Sequence, residues 1–179
     1  HLPRQAGADR TLRRMRRRYN VERFRGAVQL LRSRLENPAI TSDVIVGFPG
    51  ETDEDFRASH DFCAEMNFAK MHIFPYSVRR DTPAAEMDDH IHPEEMKRRK
   101  RALADLDDAM AERYRAGFLG ETLPTLVESR RNPRTGLLTG LTERFVRVDF
   151  EGGDELMNEI VPVRAEAVEG DRLRGVLVR

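Results

Sequence analysis

"TSDVIVGFPGETDEDF", residues Thr41 to Phe56, decides the fold class. A β-branched run, Val44-Ile45-Val46, stops at a turn made of Gly47, Pro49 and Gly50, and an amphipathic segment follows. Being apolar on both faces, the run predicts a strand over 40–46 of the kind buried on both sides in a parallel sheet. Thr52 is placed to cap the next helix, with Asp55 where a capping-box acid belongs. Phe56, Phe62, Cys63 and Met66 give that helix its apolar face. Two glycines let backbone approach a ligand closely, and a helix start offers unpaired N–H groups. The same residues also suit a tight turn that holds nothing.

Upstream, the spacing predicts a helix capped by Asp9 and running to about Tyr19, then a second over 21–35 that Asn37-Pro38 ends. Downstream, "FAKMHIFPYS" predicts a strand over 68–76, and Ser77 to His92 reads as a loop. Pro93 opens a long helix to about Phe118, with Met96, Leu103, Leu106, Met110, Tyr114 and Phe118 along one face. Strands alternating with helices imply parallel strands joined by helical crossovers. Beyond Gly120 the character changes: "TLPTLVES", "GLLTGL", "RFVRVDF", "NEIVPVRAEAV" and "RLRGVLVR" are five short strands, which predicts a small antiparallel barrel. The expected division is 1–118 and 119–179, an α/β part followed by a β-barrel.

Composition bounds the function. Lys+Arg 31 balances Asp+Glu 31 in 179 residues, so net charge points to no partner. The single cysteine excludes a disulfide framework and fits a reducing, cytoplasmic setting. No run approaches the ~20 apolar residues of a membrane span. The opening "HLPRQAG" reads as the end of a strand, and the expectation is a piece of a longer protein. His1 and His72 find no further ligands at metal spacing and are expected to pack at strand ends; Cys63 is expected in the core. The densest local charge is Arg13-Arg14 with Arg16-Arg17-Arg18, either a solvated face or a contact for RNA phosphates.

Three strand ends present polar or glycine-bearing turns: His1, Gln5 and Gly7; Gly47 and Gly50; Tyr76, Ser77 and Arg79. In a parallel sheet or barrel such ends share one site. Together the segments resemble the radical S-adenosylmethionine methylthiotransferases. The first family motif, H-L-P-x-Q-S-G then M-x-R-x-Y, is matched by His1, Leu2, Pro3, Gln5, Gly7, Met15, Arg17 and Tyr19. The second, D-x-I-V-G-F-P-G-E-T, is matched by Asp43 and Ile45 to Thr52. The third, H-x-F-P-Y-S-x-R-x-G-T-P-A, is matched by His72, Phe74 to Ser77, Arg79 and Thr82 to Ala84. Arg4 stands where the family has an apolar residue, Ala6 where it has Ser, and Asp81 where it has Gly.

The resemblance implies the C-terminal part of a TIM-type (β/α) radical SAM barrel, followed by a TRAM-like (OB-like) β-barrel. It implies S-adenosylmethionine as cofactor, with Gln5, Arg17, Ile45, Val46, Gly47, Glu51, Phe74 and Tyr76 around it. Within this set, Gly47 serves adenosine or only the turn, and Glu51 serves a ribose or only the helix N-terminus. Ser77, Arg79, Phe145 and Arg147 are the expected substrate contacts. The substrate implied is tRNA, at threonylcarbamoyladenosine beside the anticodon, to which a methylthio group is added after a deoxyadenosyl radical abstracts hydrogen. The alternatives are an aspartate of a ribosomal protein, and a cluster-free RNA-binding protein. Two 4Fe-4S clusters belong to the family, their cysteines expected in the N-terminal part outside this chain, so the chain alone is expected to be inactive. The barrel carries nine Arg and no Lys against eleven Asp and Glu from Gly120 onward, so its RNA role rests on the resemblance.

Overall fold

The structure is a computed structural model that describes residues 1–178. It divides into two compact units, His1–Met110 and Ala111–Arg179.

In the first unit, strands β1 (Thr41–Val46) and β2 (Lys70–Pro75) pair in parallel, Thr41 opposite Lys70 through Val46 opposite Pro75. Helix α3 (Asp53–Met66) makes the crossover, as the alternation requires. The N-terminal segment runs along the other edge of β1. Leu2 N–H donates to Thr41 O at 2.9 Å, Gln5 N–H to Asp43 O at 2.8 Å, and Ile45 N–H to Gln5 O at 2.7 Å. Three strand ends therefore lie side by side. Helices α1 (Asp9–Arg14), α2 (Val21–Arg34) and the first part of α4 (Pro93–Ala116) complete the unit. Phe24 and Val28 of α2, Val44 and Val46 of β1, the four apolar α3 residues, Phe68, Met71 and Leu103 form its core. Each such side chain contributes about 1.5–3 kcal/mol on burial.

Three local expectations are corrected. β1 is buried on one face only: Ser42, Val44 and Val46 are buried, whereas Thr41, Asp43 and Ile45 are half-buried. The second face borders a cleft instead of packed helices. Helix α1 stops at Arg14, and Arg16 has a φ of +54°, outside helical space. Asp9 does not cap α1, whose N-cap is Ala8; its Oδ1 accepts from Val21 N–H at 2.7 Å and so serves the start of α2.

In the second unit, β3 (Thr122–Arg131), β4 (Leu138–Thr142), β5 (Arg147–Phe150), β6 (Ile160–Glu169) and β7 (Arg172–Leu177) close into a barrel of order β3-β4-β5-β7-β6. All neighbours are antiparallel except β5 and β7, which run parallel from Val148 opposite Leu173 to Phe150 opposite Gly175. A closed ring of an odd number of strands cannot alternate direction throughout, so five strands need one parallel pair. Leu123, Val127, Leu138, Val148, Phe150, Val163 and Leu173 fill the interior. Phe118 belongs to this core, with Tyr114 edge-on to it at 5.1 Å. That packing draws the last turns of α4 into the second unit and sets the division at Met110, ahead of the expected Leu119. Arg179, the last residue of the fifth expected strand, lies outside the described residues. Among the described residues no helix is long and apolar enough to cross a membrane.

Candidate functional site

A cleft of about 650 Å³ opens at the C-terminal ends of β1, β2 and the N-terminal segment. Its floor is Gln5, Asp43, Ile45 and Phe74; Tyr76, Ser77, Arg79 and Met87 come from beyond β2, and Arg14 to Arg17 from the end of α1. Seven of the residues singled out from sequence meet here: Gln5, Arg17, Ile45, Phe74, Tyr76, Ser77 and Arg79. Arg17 Nη2 donates to Gln5 Oε1 at 3.0 Å, which leaves the Gln5 amide N–H groups free to donate. Tyr76 is held through its backbone, whose N–H donates to Val46 O at 2.8 Å, and through its ring, edge-on to Phe48 at 5.3 Å. Its hydroxyl is buried and has no hydrogen-bond partner among the described residues. A buried hydroxyl without a partner costs about 1–3 kcal/mol, which a polar ligand would relieve.

Val46, Gly47 and Glu51 lie behind this floor. Val46 is core. Gly47 N–H donates to Glu51 Oε2 at 2.8 Å. Gly47 has a φ of +72°, and a Cβ on it would come within 2.7 Å of Met96 Cγ. The glycine thus serves the turn twice, by its left-handed backbone and by admitting the α4 side chain. The Glu51 carboxylate, 3% exposed, pairs with Arg99 at 2.8 Å. Burial pushes its pKa up, against the pull of the Gly47 N–H and of Arg99.

Three arginines fasten the turn from outside. Arg99, 4% exposed at its side chain, also reaches Glu51 O at 2.9 Å and Asp53 at 2.8 Å. Arg14 Nε donates to Pro49 O at 3.0 Å and its Nη2 to Asp89 at 2.8 Å, while Gly50 N–H donates to Asp89 O at 2.8 Å. Arg10 reaches Gly50 O at 2.8 Å and pairs with Asp55. Sequence reasoning passed over Arg10, Arg14 and Arg99 as turn clamps. Spacing puts Arg10 and Arg14 on one helical face, but nothing in it names a carbonyl 35 or 40 residues away as their partner. Phe145 and Arg147 belong to the second unit, where Phe145 is 80% exposed with a φ of +58° and Arg147 pairs with Glu128.

The family model described as the Radical SAM superfamily matches residues 1–63. Threonylcarbamoyladenosine tRNA methylthiotransferase MtaB of Bacillus subtilis is 37% identical over 166 residues, which is 92% of this chain and 37% of the relative. The tRNA-2-methylthio-N(6)-dimethylallyladenosine synthase of Protochlamydia amoebophila is 38% identical over 178 residues, 99% of this chain and 39% of the relative. That of Chloroflexus aurantiacus is 38% identical over 180 residues, 98% and 38%. The chain is similar to these tRNA methylthiotransferases over nearly its whole length. It spans 37–39% of the length of these three curated relatives.

For a radical SAM relative two groups must be tested against the residues present. The cleft fits an adenosine-bearing cofactor: Ile45 and Phe74 offer apolar surface, and the Gln5 amide and the partnerless Tyr76 hydroxyl offer polar contacts. An iron–sulfur cluster does not fit. Its ligands are thiolates, and the only cysteine, Cys63, is 1% exposed in the core with its thiol pushed up to about 12 by burial. Among the described residues no group of three or more His, Cys, Asp or Glu could hold a metal ion. His1 instead hydrogen-bonds Thr41 Oγ1 at 2.8 Å and lies 6.0 Å from the His72 ring. The departures from the family motifs also have local consequences. Asp81 has a φ of +62°, where glycine is at ease, and Ala6 is buried, 1% exposed.

Proposed function

We propose that the complete protein is a radical SAM methylthiotransferase that adds a methylthio group to the adenine ring of threonylcarbamoyladenosine beside the tRNA anticodon. In this reading His1–Met110 is the C-terminal part of a TIM-type barrel and the closed five-stranded barrel is a TRAM-like domain. The partners are tRNA and the N-terminal part of the same cytoplasmic protein, which carries the cysteines for two 4Fe-4S clusters. The chain alone is inactive. The relatives, a threonylcarbamoyladenosine tRNA methylthiotransferase and tRNA-2-methylthio-N(6)-dimethylallyladenosine synthases, support tRNA methylthiolation and divide between two modified adenosines.

The observation that carries the reading is the cleft with its unsatisfied polar groups. S-adenosylmethionine supplies the methyl group and, on one-electron reduction, the hydrogen-abstracting radical. Ile45 and Phe74 would offer its adenine apolar surface, Gln5 and Tyr76 would donate to its polar groups, and Arg17 holds the Gln5 amide in orientation. Val46, Gly47 and Glu51 support this floor from behind, through the Val46 carbonyl and the clamped turn. Ser77 and Arg79 meet the substrate base, and Phe145 and Arg147 meet the RNA from the second unit.

Arg79 favours the threonylcarbamoyl base over dimethylallyl. It lines the cleft and has no carboxylate partner among the described residues. A threonylcarbamoyl group ends in a carboxylate, which suits a guanidinium fork; a dimethylallyl group is apolar and leaves it unused.

The test is the full-length protein with its clusters reconstituted. Mass spectrometry of digested tRNA should show reductant-dependent methylthiolation of threonylcarbamoyladenosine. Arg79→Gln should lower kcat/KM on that substrate at least about tenfold, roughly 1.4 kcal/mol. Absence of reductant-dependent deoxyadenosine would overturn the reading. Modification of the dimethylallyl base alone would overturn the substrate assignment.

A further inference from the structure

Beside the first cleft lies a second, smaller one between the end of α1 and the start of α2, of about 470 Å³. Arg13, Arg17, Arg18 and Arg23 line it, with Asp9 as its one carboxylate. Asp9 is committed to the Val21 N–H at 2.7 Å, and Asn20 Oδ1 accepts from Arg23 N–H at 2.9 Å. The start of α2 is therefore capped already, and whatever binds here is met by guanidinium groups. Arg13, Arg18 and Arg23 are exposed and have no carboxylate partner among the described residues. Many of the other arginines are paired with carboxylates, among them Arg10, Arg14, Arg25, Arg98 and Arg99 in the first unit and Arg131, Arg147, Arg172 and Arg174 in the barrel.

Four like charges on one short surface repel one another, and a polyanion relieves that repulsion. The position adds direction, because Arg17 lines both clefts. A nucleotide whose base enters the first cleft has its sugar–phosphate chain led past the second. Tyr19 lines the second cleft, and its hydroxyl donates to Arg4 O at 2.6 Å, which holds the ring in place.

The geometry points to a phosphodiester-binding site for substrate RNA at Arg13, Arg18 and Arg23, guiding the strand that carries the target base into the neighbouring cleft. The inference rests on the proposed tRNA substrate and locates its main electrostatic grip on the first unit, since the second carries nine Arg and no Lys against eleven Asp and Glu from Gly120 onward.

The experiment titrates the full-length protein with a fluorescent anticodon stem–loop RNA over a series of salt concentrations. A triple variant, Arg13→Gln with Arg18→Gln and Arg23→Gln, is compared with a control that loses three charges on α4, Lys97→Gln with Lys100→Gln and Arg101→Gln. Loss of three phosphate contacts should weaken binding at least tenfold and flatten the plot of log affinity against log salt by about 2 in slope for a single strand. The control should change neither by as much. A version with lysines at 13, 18 and 23 should regain the slope, which a purely structural role would not require. An unchanged slope in the triple variant, an equal loss in the control, or no RNA binding by the unsubstituted protein overturns the site. S-adenosylmethionine titration of the same samples separates the two readings. Intact cofactor binding with an unchanged RNA slope sinks only the arginine site, and RNA binding that depends on the arginines without cofactor binding sinks only the proposed function.

Discussion

Arg4 is the residue whose environment contradicts its chemistry most sharply. It is fully buried, and none of its three guanidinium nitrogens has a hydrogen-bond partner among the described residues. Its charge rests on two rings, 3.8 Å from the Phe62 centroid and 4.8 Å from that of Phe24. Burial pulls its pKa down to about 10. The folded value lies below the unfolded one, so this burden on stability is fully present below pH 10 and lifts as pH rises through it. Cation–π attraction returns about 2 kcal/mol at best, less than a buried unpaired charge costs. Arg4→Leu, which restores the apolar residue of the related motif, should therefore raise the unfolding free energy at pH 7 by about 1–3 kcal/mol. Urea denaturation measures it, and a lowered midpoint would mean that ring stacking outweighs desolvation. That Arg4 is out of place was legible in the motif comparison; that it lies between two phenylalanines was not.

At the scale of elements, the β1-to-α3 connection carries the site and follows its sequence signals closely. Thr52 Oγ1 accepts from Asp55 N–H at 3.1 Å and Asp55 returns the contact to Thr52 N–H at 3.0 Å, a complete capping box. Burial alone would raise the Asp55 pKa, but the hydrogen bonds from Thr52 and Arg10 outweigh it and hold the carboxyl below its ordinary value. Its contribution is present above the unfolded value of 3.8 and is lost as pH falls through the lower folded one. Glu51 works in the opposite sense: its pKa is raised, so its contribution declines as pH climbs through the window above 4.5. Thr52→Ala should cost about 1 kcal/mol at pH 7 and less near pH 3, because the lost partner matters most to an ionised Asp55. Melting curves at the two pH values check this, and an equal loss at both would refute it. Helix α1 shows where element-level reading fails. The pattern through Tyr19 is helical, yet the chain turns at Arg16 so that Asp9 can reach Val21 and Arg17 can reach Gln5.

For the whole molecule, the two units differ in how they treat their strand edges. The barrel is closed, so no strand edge is left open. In the first unit β2 has one strand neighbour, β1, among the described residues, and Phe74 and Val78 are 51% and 59% exposed. Ala111–Arg179 expressed alone should be a monomer that melts cooperatively. His1–Met110 alone should self-associate through the open β2 edge and its apolar neighbours. Light scattering after size exclusion measures both masses, and a monodisperse His1–Met110 monomer would refute the expectation.

The sequence by itself determined the order and type of the elements, the capped turn after β1, the change from α/β to all-β near Gly120, and seven residues that meet in one cleft. Those features arise from interactions among near neighbours in the chain: apolar periodicity, caps and turn residues. Tertiary structure alone decided that Gly47 makes room for Met96 and that Glu51 is held by Arg99. It also decided that one face of β1 borders a cleft, that one barrel pair must run parallel, and that Arg13, Arg18 and Arg23 have no carboxylate partner among the described residues while Arg10, Arg14 and Arg99 clamp the turn. Charges look alike in a sequence, and each of these outcomes depends on which distant carbonyl, carboxylate or ring the fold brings within about 3–6 Å.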